Sequence, residues 1–112
     1  MPLTRDFKET IKERAETDPK FRVALLTEAI SALLEGDLET GKMVIRDYIN
    51  ATVGFNELGK LTEKNPKSLM RMFGTSGKPT AENLLVVISQ LQQHEGISLA
   101  VSPKKREKAP TR

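Results

Sequence analysis

Between Lys60 and Lys78 the chain gathers the side chains best suited to act on a charged partner. Lys60, Lys64, Lys67, Arg71 and Lys78 stand against one acid, Glu63, a local net charge of +4. Hydroxyls and amides lie among or beside them: Asn56, Asn65, Ser68 and Ser76. Lysine and arginine neutralise phosphates and hold a protein on a duplex. Arginine also lies bidentate on a guanine edge, lysine meets a guanine or a phosphate, and serine is permissive. The ingredients of catalysis are missing by contrast. There is no cysteine, and His94 is the only histidine, without the companions a metal would need. No nucleophile stands beside a base, and there is no phosphate loop of the Walker type. The acidic pairs Glu13 with Glu16 and Asp37 with Glu39 fall on surface helices or caps. Neither an enzyme nor a cofactor is expected.

The segments that must position these groups run from Phe55 to Leu91. Asn65 before Pro66 is a helix start, because Asn accepts from orphan backbone amides and Pro loses nothing at the first helical position. The helix is expected over Pro66–Phe73, with Leu69, Met72 and Phe73 inward at i, i+3, i+4. Lys67, Ser68 and Arg71 are then left outside on one edge, a shape that a major groove accepts. Met70 and Met72 read as core and rim packing. Ahead of this helix lies another, with Leu58 and Leu61 apolar, Asn56 as its expected cap and Phe55 as an apolar anchor. The helix-start amides at Asn56 and Asn65 are expected phosphate contacts. Gly74-Thr75-Ser76-Gly77 is too glycine-rich to stay helical. Its amides, with Ser76 and Lys78, would clamp a backbone. Thr80 then caps an apolar helix through Leu84, Leu85, Val87, Ile88 and Leu91.

Upstream, Phe7, Ile11 and Ala15 trace a thin amphipathic helix near Thr4–Thr17. Asp18-Pro19 starts a second, with Phe21, Leu25, Ala29, Ala32 and Leu33 on one face. Val23, Leu26, Ile30 and Leu34 widen that stripe, the pattern of a helix buried on more than one side. Gly36 ends it, and Asp37 caps a third helix with Leu38, Val44, Ile45, Tyr48 and Ile49, which Gly54 ends. Downstream, Gly96 breaks the pattern. Ile97, Leu99 and Val101 alternate with Ser98, Ala100 and Ser102, as in a half-buried strand. A lone strand needs a partner, and the nearest is a second copy across a two-fold axis. The charged, proline-containing residues 103–112 should be disordered.

Leu58-Gly59-Lys60-Leu61 followed by Asn65-Pro66-Lys67-Ser68-Leu69-Met70-Arg71 resembles the helix-turn-helix of lambda-repressor-like (Xre-type) regulators. The continuation, Gly77-Lys78-Pro79-Thr80 and then Asn83-Leu84-Leu85, is similar to the antidotes of addiction modules. The resemblance spans about Leu25–Val101 in pattern and Phe55–Leu91 in motif. Three positions depart from it: Glu63 and Lys64 stand where such turns carry a Gly and an apolar residue, and Gly59 stands where Ala is commoner. The resemblance implies a DNA-binding antitoxin that represses its own operon as a homodimer on a palindromic operator. It also implies a RelE-like endoribonuclease toxin as partner.

The resulting expectation is a mostly α protein: a five- or six-helix lambda-repressor-like domain with a short C-terminal strand. Its parts are an arm over residues 1–17, the domain over 18–102 and the tail over 103–112. At 112 residues there is material for one small domain. The longest apolar run, Leu84–Ile88, is too short to span a bilayer, and the N-terminus lacks the apolar core of a signal peptide, so a cytoplasmic protein away from membranes is expected. Residues 1–59 carry a net −3 and residues 103–112 a net +4. Positive charge therefore sits on the proposed reading helix and the tail, as in a protein that meets a polyanion with one face. A basic toxin would instead be met by the acidic residues 1–59. The alternative is a protein-binding helical domain whose altered turn no longer reads DNA.

Overall fold

The computed structural model describes residues 5–106, with side chains from residue 9 onward. Six helices are formed among them: α1 (Arg5–Thr17), α2 (Pro19–Leu34), α3 (Leu38–Ala51), α4 (Phe55–Thr62), α5 (Pro66–Met72) and α6 (Ala81–Glu95). Most begin where a side chain can satisfy the free amides of a first turn. Asp18 accepts from the N–H groups of Lys20 and Phe21, Asp37 from Thr40, Asn65 from Lys67 and Ser68, and Thr80 from Asn83.

The start of α4 differs from expectation. Asn56 is not its cap but its second residue. Gly54, at φ +81°, takes the cap position, and no side chain caps the helix. The Gly54 carbonyl already accepts from Leu58 N–H at 3.0 Å, so helical bonding starts two residues before Asn56. The third helix accordingly stops at Ala51, with Thr52 closing it ahead of Gly54.

α2 and α3 are joined by the short Gly36-Asp37 link and form the most extensive pairing, with α1 packed against both; α4 packs against α5 and α6. One core runs through all of α2–α6. It contains Leu26 and Ala29, then Ile45, Tyr48 and Ile49, then Leu58, Leu69, Phe73, Val87 and Leu91. On α1, Ala15 is buried and Ile11 half-buried, while the Phe7 side chain lies outside the described residues. The widened stripe of α2 is only partly used: Leu34, expected on it, is 66% exposed.

A part-buried polar network lies against this core. Arg22 donates from Nε to both carboxylate oxygens of Glu95, at 3.1 and 2.9 Å, and from a terminal nitrogen to the Ala15 carbonyl at 2.6 Å. The Tyr48 hydroxyl donates to the same carboxylate. Four helices, α1, α2, α3 and α6, are thereby tied at one point.

The C-terminal strand is not formed. Ile97 and Leu99 pack on the core while Ser98 and Ala100 face outward, so the alternation is present, but residues 97–101 pair with no other segment among the described residues. A strand exists by its ladder, and among the described residues no second strand is present to complete one. Residues 103–106 are also without regular structure, and Arg106 lies 3.6 Å from Glu35; the rest of the tail, 107–112, lies outside the described residues. Among the described residues no helix is long and apolar enough to cross a membrane.

Candidate nucleic-acid interface

α5 is short, and what holds it decides what it shows. Its inner side is Leu69, buried together with Phe73 just beyond its end. At 100° per residue, Lys67 and Arg71 then fall on the side opposite Leu69. Both are exposed, as is Ser68 beside them, and none of the three side chains has a hydrogen bond or ion pair with another described residue. Met72 is half-buried, while Met70 is 45% exposed on the flank away from Ser68.

The turn from α4 into α5 has three residues, Glu63, Lys64 and Asn65. Glu63 has φ +58° and ψ +38°, the left-handed conformation that a glycine would adopt without strain. Lys64 N–H returns to the Gly59 carbonyl at 3.0 Å, closing α4. The Lys64 ammonium donates to Asn83 Oδ1 at 3.0 Å, a polar bond that ties the turn to α6. Gly59 makes the turn this tight: a Cβ there would lie 2.8 Å from the Lys64 carbonyl oxygen and 2.9 Å from Pro66 Cγ.

The far end of α5 is gripped by α3. Lys42 is 1% exposed, and its ammonium donates to the carbonyls of Gly74 at 2.9 Å and Gly77 at 2.6 Å, with Glu39 3.2 Å away. One turn on, Arg46 donates to the Phe73 carbonyl at 3.3 Å. Two cations of α3 thus satisfy carbonyls at and after the end of α5, where a cation also suits the helix dipole. Gly77 lies against the same end. A Cβ there would stand 2.1 Å from the Arg71 carbonyl oxygen and 2.6 Å from that of Met72. The loop is pressed onto α5 at a position that only glycine allows.

These contacts bring Asn65, Ser68, Arg71, Ser76 and Lys78 together around one open groove, which Lys64, Thr80 and Asn83 complete. Ser76 and Lys78 are exposed on its far bank. Lys67 does not line the groove but sits on the outer edge of α5. Asn56 lies apart, on a second depression with Lys60, Glu63, Lys64 and Asn65.

At Asn65 the side-chain Oδ1 accepts from Lys67 N–H at 2.8 Å and Ser68 N–H at 3.3 Å, so those two amides are occupied, while the main-chain N–H of Asn65 and its NH₂ have no acceptor among the described residues. At α4 the situation is reversed: with no side-chain cap, the first-turn amides around Asn56 have no side-chain acceptor.

Lys42 and Arg46 were not legible as contributors. A lysine inside an apolar stripe reads as solvated, and only the arrival of the 74–77 loop, far along the chain, gives it partners. A weak signal existed: position 42 precedes Val44, Ile45, Tyr48 and Ile49 on the side of α3 that the sequence assigns to the core.

Two groups near this frame have shifted acidities. Burial, then the hydrogen bond to Glu95 and the charge of its carboxylate, raise the Tyr48 phenol far above its ordinary 10.0. The hydrogen bonds from Thr40 hold the Asp37 carboxyl below its ordinary 3.8.

Comparisons of the chain with protein-family models, with curated proteins and with solved structures find no match.

Proposed function

We propose that the chain is a sequence-specific regulator that binds double-stranded DNA, with α4, the turn and α5 acting as the helix-turn-helix of a lambda-repressor-like (Xre-type) domain. One observation carries this reading. The side of α5 opposite its buried Leu69 presents Lys67, Ser68 and Arg71 without internal partners, beside a groove whose other bank bears Ser76 and Lys78. Cations kept free of acids on an exposed helix are available to phosphate and to base edges. In this reading Arg71 reads a guanine and Lys67 a guanine or a phosphate. Lys78 and the Asn65 NH₂ hold the backbone, and Met70 offers an apolar contact to a thymine methyl.

The test is a gel shift on the gene's own upstream region. A palindrome-dependent, salt-sensitive shift is expected. Arg71→Ala should lose about 1–3 kcal/mol of specific binding, whereas loss of a phosphate contact at Lys78 should weaken all sequences alike and reduce the salt slope by about 1. Unchanged specific affinity for a folded Arg71→Ala protein would sink the assignment of α5.

The wider proposal is an autorepressing antitoxin acting in the cytoplasm as a homodimer, with a basic RelE-like toxin meeting the acidic residues 1–59. Glu9, Glu13 and Glu16 are exposed along α1, with the exposed Lys12 among them. Co-purification with the product of the neighbouring gene checks this; failure to co-elute at low salt counts against it. A protein-binding domain that does not read DNA is the competing outcome of the gel shift.

A further inference from the structure

Residues 97–102 form no strand within one chain but leave main-chain amides without acceptors, and we infer that the same segment of a second copy pairs with them as an antiparallel strand. The segment is bounded by Gly96 in the left-handed conformation and by Pro103, which has no N–H to continue a ladder. Ile97 N–H bonds the Gln92 carbonyl at 3.0 Å, and Leu99 N–H bonds Gln92 Oε1 at 2.7 Å. The amides of Ile97 and Leu99 therefore point at α6, while that of Val101, farther along, has no acceptor among the described residues. In an extended chain the even-numbered ones point the other way. The main-chain amides of Ser98, Ala100 and Ser102 have no acceptor among the described residues.

This edge is complementary to itself. Run antiparallel about a two-fold axis through Ala100, it pairs Ala100 with Ala100 of the copy and Ser98 with Ser102 of the copy. Every outward N–H and C=O of the three residues then exchanges bonds in both chains. The same register explains Val101. That side chain is 76% exposed in the single chain, although it continues the face on which Ile97 and Leu99 pack to the core. Across the axis it falls opposite Leu99 of the copy, as a close pair without mutual hydrogen bonds, and the two apolar faces join. A foreign strand would satisfy the amides, but only a second copy supplies Leu99 opposite Val101 in both halves at once.

The pairing deepens the homodimer within the proposed function. Its test reads mass and cross-links, so loss of DNA binding alone leaves it standing. The wild type should run in light scattering at twice 12.5 kDa. Ala100→Pro removes the central outward N–H while keeping Leu99 extended and its bond to Gln92, so it should run at 12.5 kDa with unchanged helix content. Because the chain has no cysteine, single thiols report the register. Ala100→Cys places two thiols at about 5.5 Å between Cα atoms and should link on mild oxidation. Ser98→Cys separates them by about 14 Å, four residues of offset, and should not. A monomeric wild type, which would leave the edge to another protein, overturns the inference. So does a dimeric Ala100→Pro, or equal linkage of the two thiols.

Discussion

Glu63 holds backbone angles that a side chain with a Cβ adopts reluctantly, and it does so at the turn that sets α5 against α4. The left-handed conformation costs an L residue about 1–2 kcal/mol, part of which glycine returns through its freer unfolded state. Glu63→Gly should therefore stabilise the protein by about 0.5–1 kcal/mol, seen as a higher denaturant midpoint at unchanged slope. A lower midpoint would mean that the Glu63 carboxylate contributes something its exposure hides. Lys42 is the opposite case, a side chain whose surroundings are wholly satisfied. Lys42→Met leaves two loop carbonyls without their donor, at about 1–3 kcal/mol for each one left unsatisfied. The stability loss should be accompanied by faster amide exchange confined to residues 73–78; uniform exchange across the chain would deny the grip on that loop. Gly77→Ala should be worse still, since the new methyl meets carbonyl oxygens and not yielding side-chain ends.

At the scale of elements, the helices are held at their ends by local chemistry and along their lengths by shared core. Asp37 at the start of α3 is an exposed cap whose carboxyl is held low by Thr40. A carboxyl with a lowered folded value contributes stability that is present above its unfolded value, near 3.8, and lost as pH falls through the folded one. Asp37→Asn keeps an amide oxygen for the Thr40 N–H and so should preserve the helix while removing this part of the acid sensitivity. A carboxyl titration followed by NMR gives the sign directly; a midpoint at or above 3.8 for Asp37 contradicts the cap geometry. These caps were readable from the sequence because each is a contact over two or three residues. The start of α4 was not, because Gly54 needs only its own backbone to begin a helix, and Asn56 offered a more familiar signal two residues too late.

For the molecule as a whole, the knot of Arg22, Tyr48 and Glu95 joins α1, α2, α3 and α6. Tyr48 is the only tyrosine and there is no tryptophan, so ultraviolet absorbance follows this one phenol. A raised folded value favours the neutral form in the native state. Its contribution to stability is complete below the ordinary 10.0 and is lost as pH rises toward the folded value. Tyrosinate absorbance should therefore be absent from the native protein just above pH 10 and should emerge together with loss of helical circular dichroism. Ionisation of a fully helical protein near its ordinary value would show that the knot does not exclude solvent.

The sequence by itself determined the helices and their order, most of their caps, the inward residues of α5 and the free cations opposite them. All of these follow from periodicity and from contacts within a turn or two. Only the tertiary structure decided that Lys42 and Arg46 hold the loop after α5 and that Gly77 lies under carbonyl oxygens. It also decided that Arg22 meets Glu95 and that residues 97–101 stay an unpaired edge in one chain. Each of these depends on which distant segment arrives beside a given side chain, and a linear pattern records a residue's own preferences but not the identity of its distant neighbours.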